Sequence, residues 1–148
     1  MAELVYTIYI GAPPERAWRA ITDGTDTAHY FYGTRVASDW RPGSPVVYTY
    51  PDGRIAADGE VLEIEPGRRV RLTFHPRWDA EIEAEGPVEM TWVVEPEFGV
   101  TKLTATTTGV RPGSRMDTDF AGGIPYIVSG LKTVAETDAP MSAAQPPA

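Results

Sequence analysis

Histidine is the side chain that most readily exchanges protons near neutral pH, and the chain has two, His29 and His75. His29 precedes three aromatic residues, where it could act as a general acid or base or orient a ligand at the mouth of a cavity. His75 falls on the opposite strand face from Leu72 and Phe74, which predicts an exposed side chain. Acid–base catalysis needs a second titratable group beside the histidine, and the sequence singles out no such pair. The pattern therefore favours a packing role for His29, and no catalytic residue is predicted.

Carboxylates on one face could bind a hard cation, and Glu81, Glu83 and Glu85 share one parity in an extended segment. Such a row is more often the solvated edge of a sheet, where charge discourages pairing with another sheet. The two histidines are far apart in the sequence and there is no cysteine, so no metal site is predicted. The sequence also lacks a phosphate loop and a dinucleotide fingerprint, so no cofactor is predicted.

Aromatic and large apolar side chains form the third group, and they could enclose a small apolar ligand. Trp92 alternates with Met90 and Val94, which places it on a buried strand face. Buried Tyr and Trp side chains need hydrogen-bond partners that a polar group of a ligand could supply. Aromatic stripes are more often simply core, so both interpretations stay open. The residues predicted to line a cavity are Trp40, Tyr48, Phe74, Trp92, Phe120, Tyr126, Ile127 and Leu131.

The composition limits the classes of partner and the location. The 148 residues fit one domain, and the net charge of −8 argues against nucleic acid, whose backbone needs clustered Lys and Arg. No apolar run approaches the ~20 residues that cross a bilayer, so membrane insertion is not expected. The first residues lack the basic and apolar regions of a secretion signal, and a cytoplasmic location is the default expectation.

Short strands separated by turn signals must position these side chains. The first strand is predicted at residues 3–10, followed by a helix at Pro14–Thr22 and a helical turn at 26–30. A bulge is expected near Gly59. Hairpin-length connections predict that neighbouring strands are antiparallel. The other six strands are predicted at 34–40, 46–50, 55–65, 69–75, 88–95 and 100–108.

The last third of the chain carries the one long helical pattern, over about residues 115–137. At 1.5 Å per residue this helix would be ~34 Å long and could cross the whole sheet. Two interpretations of segment 122–125 stay open: helix formation that begins at Ile124, or a kink that opens a portal. Residues 1–138 are predicted to form one domain and residues 139–148 a disordered tail. The apolar stripe of the helix is predicted at Ile124, Ile127, Leu131, Val134 and Ala135.

Five segments carry a further pattern, namely Ala-Pro-Pro-Glu-Arg-Ala-Trp-Arg-Ala-Ile at 12–21, Thr-Ala-His-Tyr-Phe at 27–31, Ser-Asp-Trp-Arg-Pro-Gly-Ser at 38–44, Asp-Gly-Glu-Val-Leu-Glu-Ile-Glu-Pro at 58–66, and the helix at 123–137. In order and spacing they resemble the activator-of-heat-shock-protein-90-ATPase-like family of the SRPBCC (START-like) superfamily. The resemblance implies an α+β helix-grip fold. That fold is a curled antiparallel sheet of about seven strands around a long C-terminal helix, with two small helices after the first strand and a cavity between sheet and helix. One departure is Ile124, where the family usually has Trp. Two outcomes are open: the smaller side chain leaves more room there, or Tyr126 and Trp78 fill the space instead.

Three functions are open at this point. The favoured one is non-catalytic binding of a small lipophilic or aromatic ligand in the cavity, because one helix cannot fill the concave side of a curled sheet. An enzyme of the polyketide cyclase or aromatase type would need a polar pair deep in the cavity, with His29 or a tyrosine handling protons. A co-chaperone-like interaction domain would instead show a filled cavity beside an exposed apolar patch. A protein partner or a homodimer is left open.

Overall fold

The computed structural model describes residues 2–142, and within them seven strands pair into one antiparallel sheet. The strands are β1 (Ala2–Ile10), β2 (Arg35–Ser38), β3 (Pro45–Thr49), β4 (Ile55–Glu65), β5 (Arg69–Pro76), β6 (Val88–Glu97) and β7 (Val100–Val110). Their order across the sheet is β1-β7-β6-β5-β4-β3-β2. Every adjacent pair is antiparallel: β2 to β7 lie in chain order across the sheet, and β1 pairs with β7 at one edge.

Four helices accompany the sheet in the described part of the chain. They are α1 (Pro14–Thr22), α2 (Gly24–Thr27), α3 (Ala80–Ala84) and α4 (Arg115–Thr137). The first two follow β1, and α4 follows the last strand, so the predicted α+β helix-grip fold is confirmed. Of the predicted tail, residues 143–148 lie outside the described residues, and the domain limit at 138 stays a prediction.

Helix α4 is continuous through Pro125, so the interpretation that helix formation begins at Ile124 is wrong. Two hydrogen bonds cap the first turn of α4. The Ser114 hydroxyl accepts the Asp117 N–H at 3.1 Å, and the Glu85 carboxylate accepts the Met116 N–H at 3.1 Å. Burial of Met116 and of the predicted stripe then outweighs the local cost of an interior proline.

Residues 80–84 form helix α3, so Glu81, Glu83 and Glu85 do not form the row predicted for an extended edge. Asp79 begins this helix, because its carboxylate accepts the N–H groups of the first turn. His75 is partly buried rather than exposed, and its Nε2 lies 2.9 Å from the carbonyl oxygen of Glu83. The short helix therefore covers the end of β5.

Gly59 itself marks a close approach of two strands, and the irregularity predicted near it is found a little further along β4. A Cβ at this position would lie 1.8 Å from the carbonyl oxygen of Thr73 on β5. Only glycine fits against a neighbouring backbone at that distance. The register shift between β4 and β5 falls further along, between Val61 and Glu63.

Glycine also sets the contact between α4 and the segment after α2. A Cβ at Gly130 would lie 2.6 Å from the Cβ of Tyr30, which is buried against the helix. The Tyr30 hydroxyl donates to the Ala20 carbonyl at 2.7 Å, which ties the same segment to α1. This packing fixes the position of the residues that follow Tyr30, and those residues form one wall of the site.

Candidate functional site

A cavity of about 110 Å³ lies between α4 and the inward face of the sheet. Period-2 alternation turns Phe74 of β5 and Met90 of β6 inward, and helical spacing brings Phe120 and Ile124 of α4 over them. The lining consists of Phe31, Tyr32 and Thr34 between α2 and β2, Tyr50, Ala56, Phe74 and Met90 of the sheet and its loops, Trp78 before α3, and Asp119, Phe120, Gly123, Ile124 and Ile127 of α4.

Aromatic rings in mutual contact form much of the wall. Phe31 stacks on Tyr48 with ring centroids 4.6 Å apart, and Tyr48 meets Phe74 edge-on at 5.5 Å. Trp78 and Phe120 continue the cluster, with centroids 6.2 Å apart. Such contacts hold the rings in place, so the cavity is a fixed apolar space suited to an apolar or aromatic group.

Polar groups gather where the cavity opens to solvent. Tyr32 and Tyr50 are half-buried there, and Asp119 stands on the facing side of α4. Burial raises the pKa of each tyrosine, and the nearby Asp119 carboxylate adds to both shifts. Asp119 is exposed on the surface of α4, yet its partial desolvation beside the cavity raises its pKa, against the opposing charge of Arg115. Tyr126 stacks on Tyr32 at 5.8 Å and so holds one side of this mouth. The mouth can therefore hydrogen-bond a polar group on a ligand whose apolar part is inside.

A second, smaller cavity of about 20 Å³ adjoins the first over strands β6 and β7. Trp92, Ala105 and Thr107 line it on the inward face of the sheet. Four residues line both cavities, so the two spaces lie next to each other. They are Phe31, Met90, Ile124 and Ile127.

The structure brings half of the predicted lining residues to these cavities. Phe74, Phe120 and Ile127 line the larger cavity, and Trp92 lines the smaller one together with Ile127. Whether any of them contacts a ligand stays a prediction.

The remaining predicted residues lie outside the lining of both cavities. Tyr48 is buried behind Phe31, and Leu131 is fully buried one turn further along α4. Tyr126 supports the mouth from outside, through Tyr32. Trp40 and His29 are half-buried, and neither reaches the lining. The strand parity or aromatic character of these residues correctly indicated that they are buried or half-buried. Burial alone, however, does not place a side chain at a cavity.

Sequence reasoning missed the mouth residues and the α4 residues nearest to them. Extending the apolar stripe of α4 back from Ile124 by one turn reaches Phe120, and Asp119 and Gly123 flank that stripe at helical spacing. The same pattern could therefore have indicated Asp119. No sequence signal placed Tyr32 opposite it, because that contact depends on how the segment after α2 packs.

In residues 2–142, no group of three or more His, Cys, Asp or Glu side chains is arranged to hold a metal ion. No helix in that part of the chain combines the length and apolar character needed to cross a membrane.

Comparison with known proteins agrees with this geometry. The family model for activator of Hsp90 ATPase homolog 1-like proteins matches residues 11–136. A solved structure from Mesorhizobium loti is 23% identical, with a TM-score of 0.74 over 90% of this chain and 96% of that chain. The Aha1 dimer from Colwellia psychrerythraea is 16% identical, with a TM-score of 0.74 over 93% and 98%. DynU16, a protein from the dynemicin biosynthetic locus, is 23% identical, with a TM-score of 0.73 over 93% of this chain but 48% of that chain. No curated protein matches the sequence significantly.

Proposed function

This chain belongs to the family of activator of Hsp90 ATPase homolog 1-like proteins, and from that premise we propose that it binds a small apolar or aromatic molecule between the sheet and α4. The observation that supports this most directly is the apolar cavity of about 110 Å³ with its aromatic wall. Well-packed interiors leave few spaces of this size, so a cavity that opens through a polar mouth is the best candidate for a binding site.

The size of the cavity limits what enters it. An engineered apolar cavity of ~150 Å³ in another protein stays dry and binds benzene. A space of about 110 Å³ therefore suits a group of roughly one ring. A longer ligand would extend through the mouth, where Tyr32, Tyr50 and Asp119 offer hydroxyl groups and a carboxylate.

The test is native mass spectrometry of the purified protein, together with a thermal-shift screen of lipids, sterols, flavonoids and single-ring aromatic compounds. A ligand present at 100 times its Kd should add ~2.7 kcal/mol to the free energy of unfolding. A bound mass, or a shift confined to one chemical class, supports the proposal. Turnover of the bound compound would favour the polyketide cyclase-like alternative, with Asp119 as the first group to test. If no compound binds or shifts the melting temperature, ligand binding is the wrong function.

A protein-interaction domain is the second candidate, because one apolar cluster lies on the outside of the molecule. Phe98, in the turn between β6 and β7, is 85% exposed, and its ring centroid lies 6.3 Å from that of the exposed Tyr9 on β1. The similar structure from Colwellia psychrerythraea is a dimer. If this cluster joins two copies, sedimentation velocity should show a dimer for the wild type and a monomer for Phe98→Ser. A wild-type monomer at high concentration would exclude that dimer.

A further inference from the structure

Trp92 has a buried hydrogen-bond donor without a partner among the described residues. The residue is 5% exposed, and its Nε1 makes no hydrogen bond. It sits in the middle of the sheet, paired with Val70 of β5 and Ala105 of β7. Indole N–H can only donate, and nearly all buried donors in native proteins are satisfied. The described residues therefore leave one acceptor to be supplied.

The environment of Trp92 shows where that acceptor would sit. Trp92 lines the smaller cavity, and the neighbouring Ala105 is too small to fill the space beside it. The side chain of Thr107, two residues along the same face, lines that cavity as well. The volume of about 20 Å³ exceeds the ~10–15 Å³ that one water-sized group needs, and it is too small for a ring.

The two cavities together suggest a ligand with two unlike parts. Phe31, Met90, Ile124 and Ile127 line both spaces, so the two cavities adjoin across these residues. Met90 is the most adaptable of the four, since its unbranched side chain can change rotamer to join the spaces. A ring in the larger cavity would then place a single attached oxygen in the smaller one.

We infer that the ligand is an aromatic compound with a hydrogen-bond acceptor on or next to its ring, such as an aryl ketone. Its oxygen accepts the Trp92 indole N–H in the smaller cavity. This inference rests on the proposed function, because it assumes that the larger cavity takes a ring. Trp92 then selects between ligands of equal shape, whereas the aromatic wall selects for shape alone.

Acetophenone and α-methylstyrene test this directly, because they have nearly the same shape and differ by C=O in place of C=CH2. Their Kd values would be measured by titration of ¹⁵N-labelled protein, following the indole N–H signals of the four tryptophans. Single Trp18→Phe, Trp40→Phe and Trp78→Phe variants assign the Trp92 signal by elimination. We expect acetophenone to bind about three- to ten-fold more tightly, as one hydrogen bond allows. Only acetophenone should shift the Trp92 signal downfield.

Trp92→Phe should bring the two Kd values together, whereas Trp18→Phe, on α1 and outside both cavities, should keep the preference. If Trp92→Phe does not fold, the wild-type titration still decides. Equal Kd values in the wild type, or a preference that survives Trp92→Phe, would overturn the inference and leave ligand binding intact. Binding of neither probe would count against the proposed function and this inference together.

Discussion

Gly123 lies on α4 at the mouth of the cavity, and we expect its replacement by alanine to narrow that mouth. A Cβ at Gly123 would lie 3.2 Å from the hydroxyl oxygen of Tyr32, which is tighter than nine in ten real Cβ contacts. At Gly122, one residue earlier in the same helix, a Cβ meets no atom within 4 Å. Gly122→Ala is therefore a matched control that adds the same methyl group to the same helix without touching the mouth.

Comparing Gly122→Ala with Gly123→Ala separates two effects on stability: the gain from a better helix former and the loss from a close contact with Tyr32. Alanine is favoured over glycine inside a helix by ~0.5–1 kcal/mol, so Gly122→Ala should raise the melting temperature by about 1–4 °C. Gly123→Ala gains the same helix preference but must displace the Tyr32 hydroxyl by a few tenths of an ångström. One extra carbon in an apolar pocket changes binding by ~1–3 kcal/mol. Because Tyr32 is half-exposed and can move aside, we expect a loss near the lower end of this range, which is about a five-fold higher Kd.

Both variants would be titrated with acetophenone and unfolded with urea. The expected result is weaker binding for Gly123→Ala alone, together with a smaller gain in the free energy of unfolding than the control shows. Equal weakening in the two variants would mean that a stiffer helix, and not a narrower mouth, lowers affinity. Unchanged binding in Gly123→Ala would show that ligands do not pass or contact Tyr32, and the assignment of the mouth would be wrong.

Two further predictions concern stability. Gly130→Ala should lower the free energy of unfolding by about 1–3 kcal/mol in urea, despite its better helix propensity, because its Cβ would lie 2.6 Å from the Cβ of Tyr30; a stabilised variant would show that this contact relaxes freely. Hydrogen bonds from Arg71 and Arg69 lower the pKa of Glu63 from 4.5 to about 2, so the stability they add is present above pH 4.5 and is lost as the pH falls towards 2. Wild-type stability should therefore fall more steeply than that of Glu63→Gln between these pH values, and parallel curves would contradict the pairing.

Local patterns in the sequence were sufficient for most of the framework. The bounds of α1, β4 and α4 match those predicted, because each is set by a repeated apolar pattern and by a cap or turn next to it. Period-2 alternation also placed Phe74 and Trp92 on the inward face. These features depend on neighbours within one or two turns of the chain, which a sequence displays directly.

Other features depend on contacts between distant residues, and the sequence could not supply them. Glu85 accepts the Met116 N–H in the first turn of α4, although the two residues are 31 positions apart in the chain. Tyr48 and Phe74 look alike in the sequence, yet Tyr48 is covered by Phe31 and Phe74 faces the cavity. The sequence by itself determined which face of most strands and of α4 is buried, since burial there follows from periodicity. Only the tertiary structure decided which buried side chains border empty space, because a cavity is whatever volume the packed elements leave unfilled.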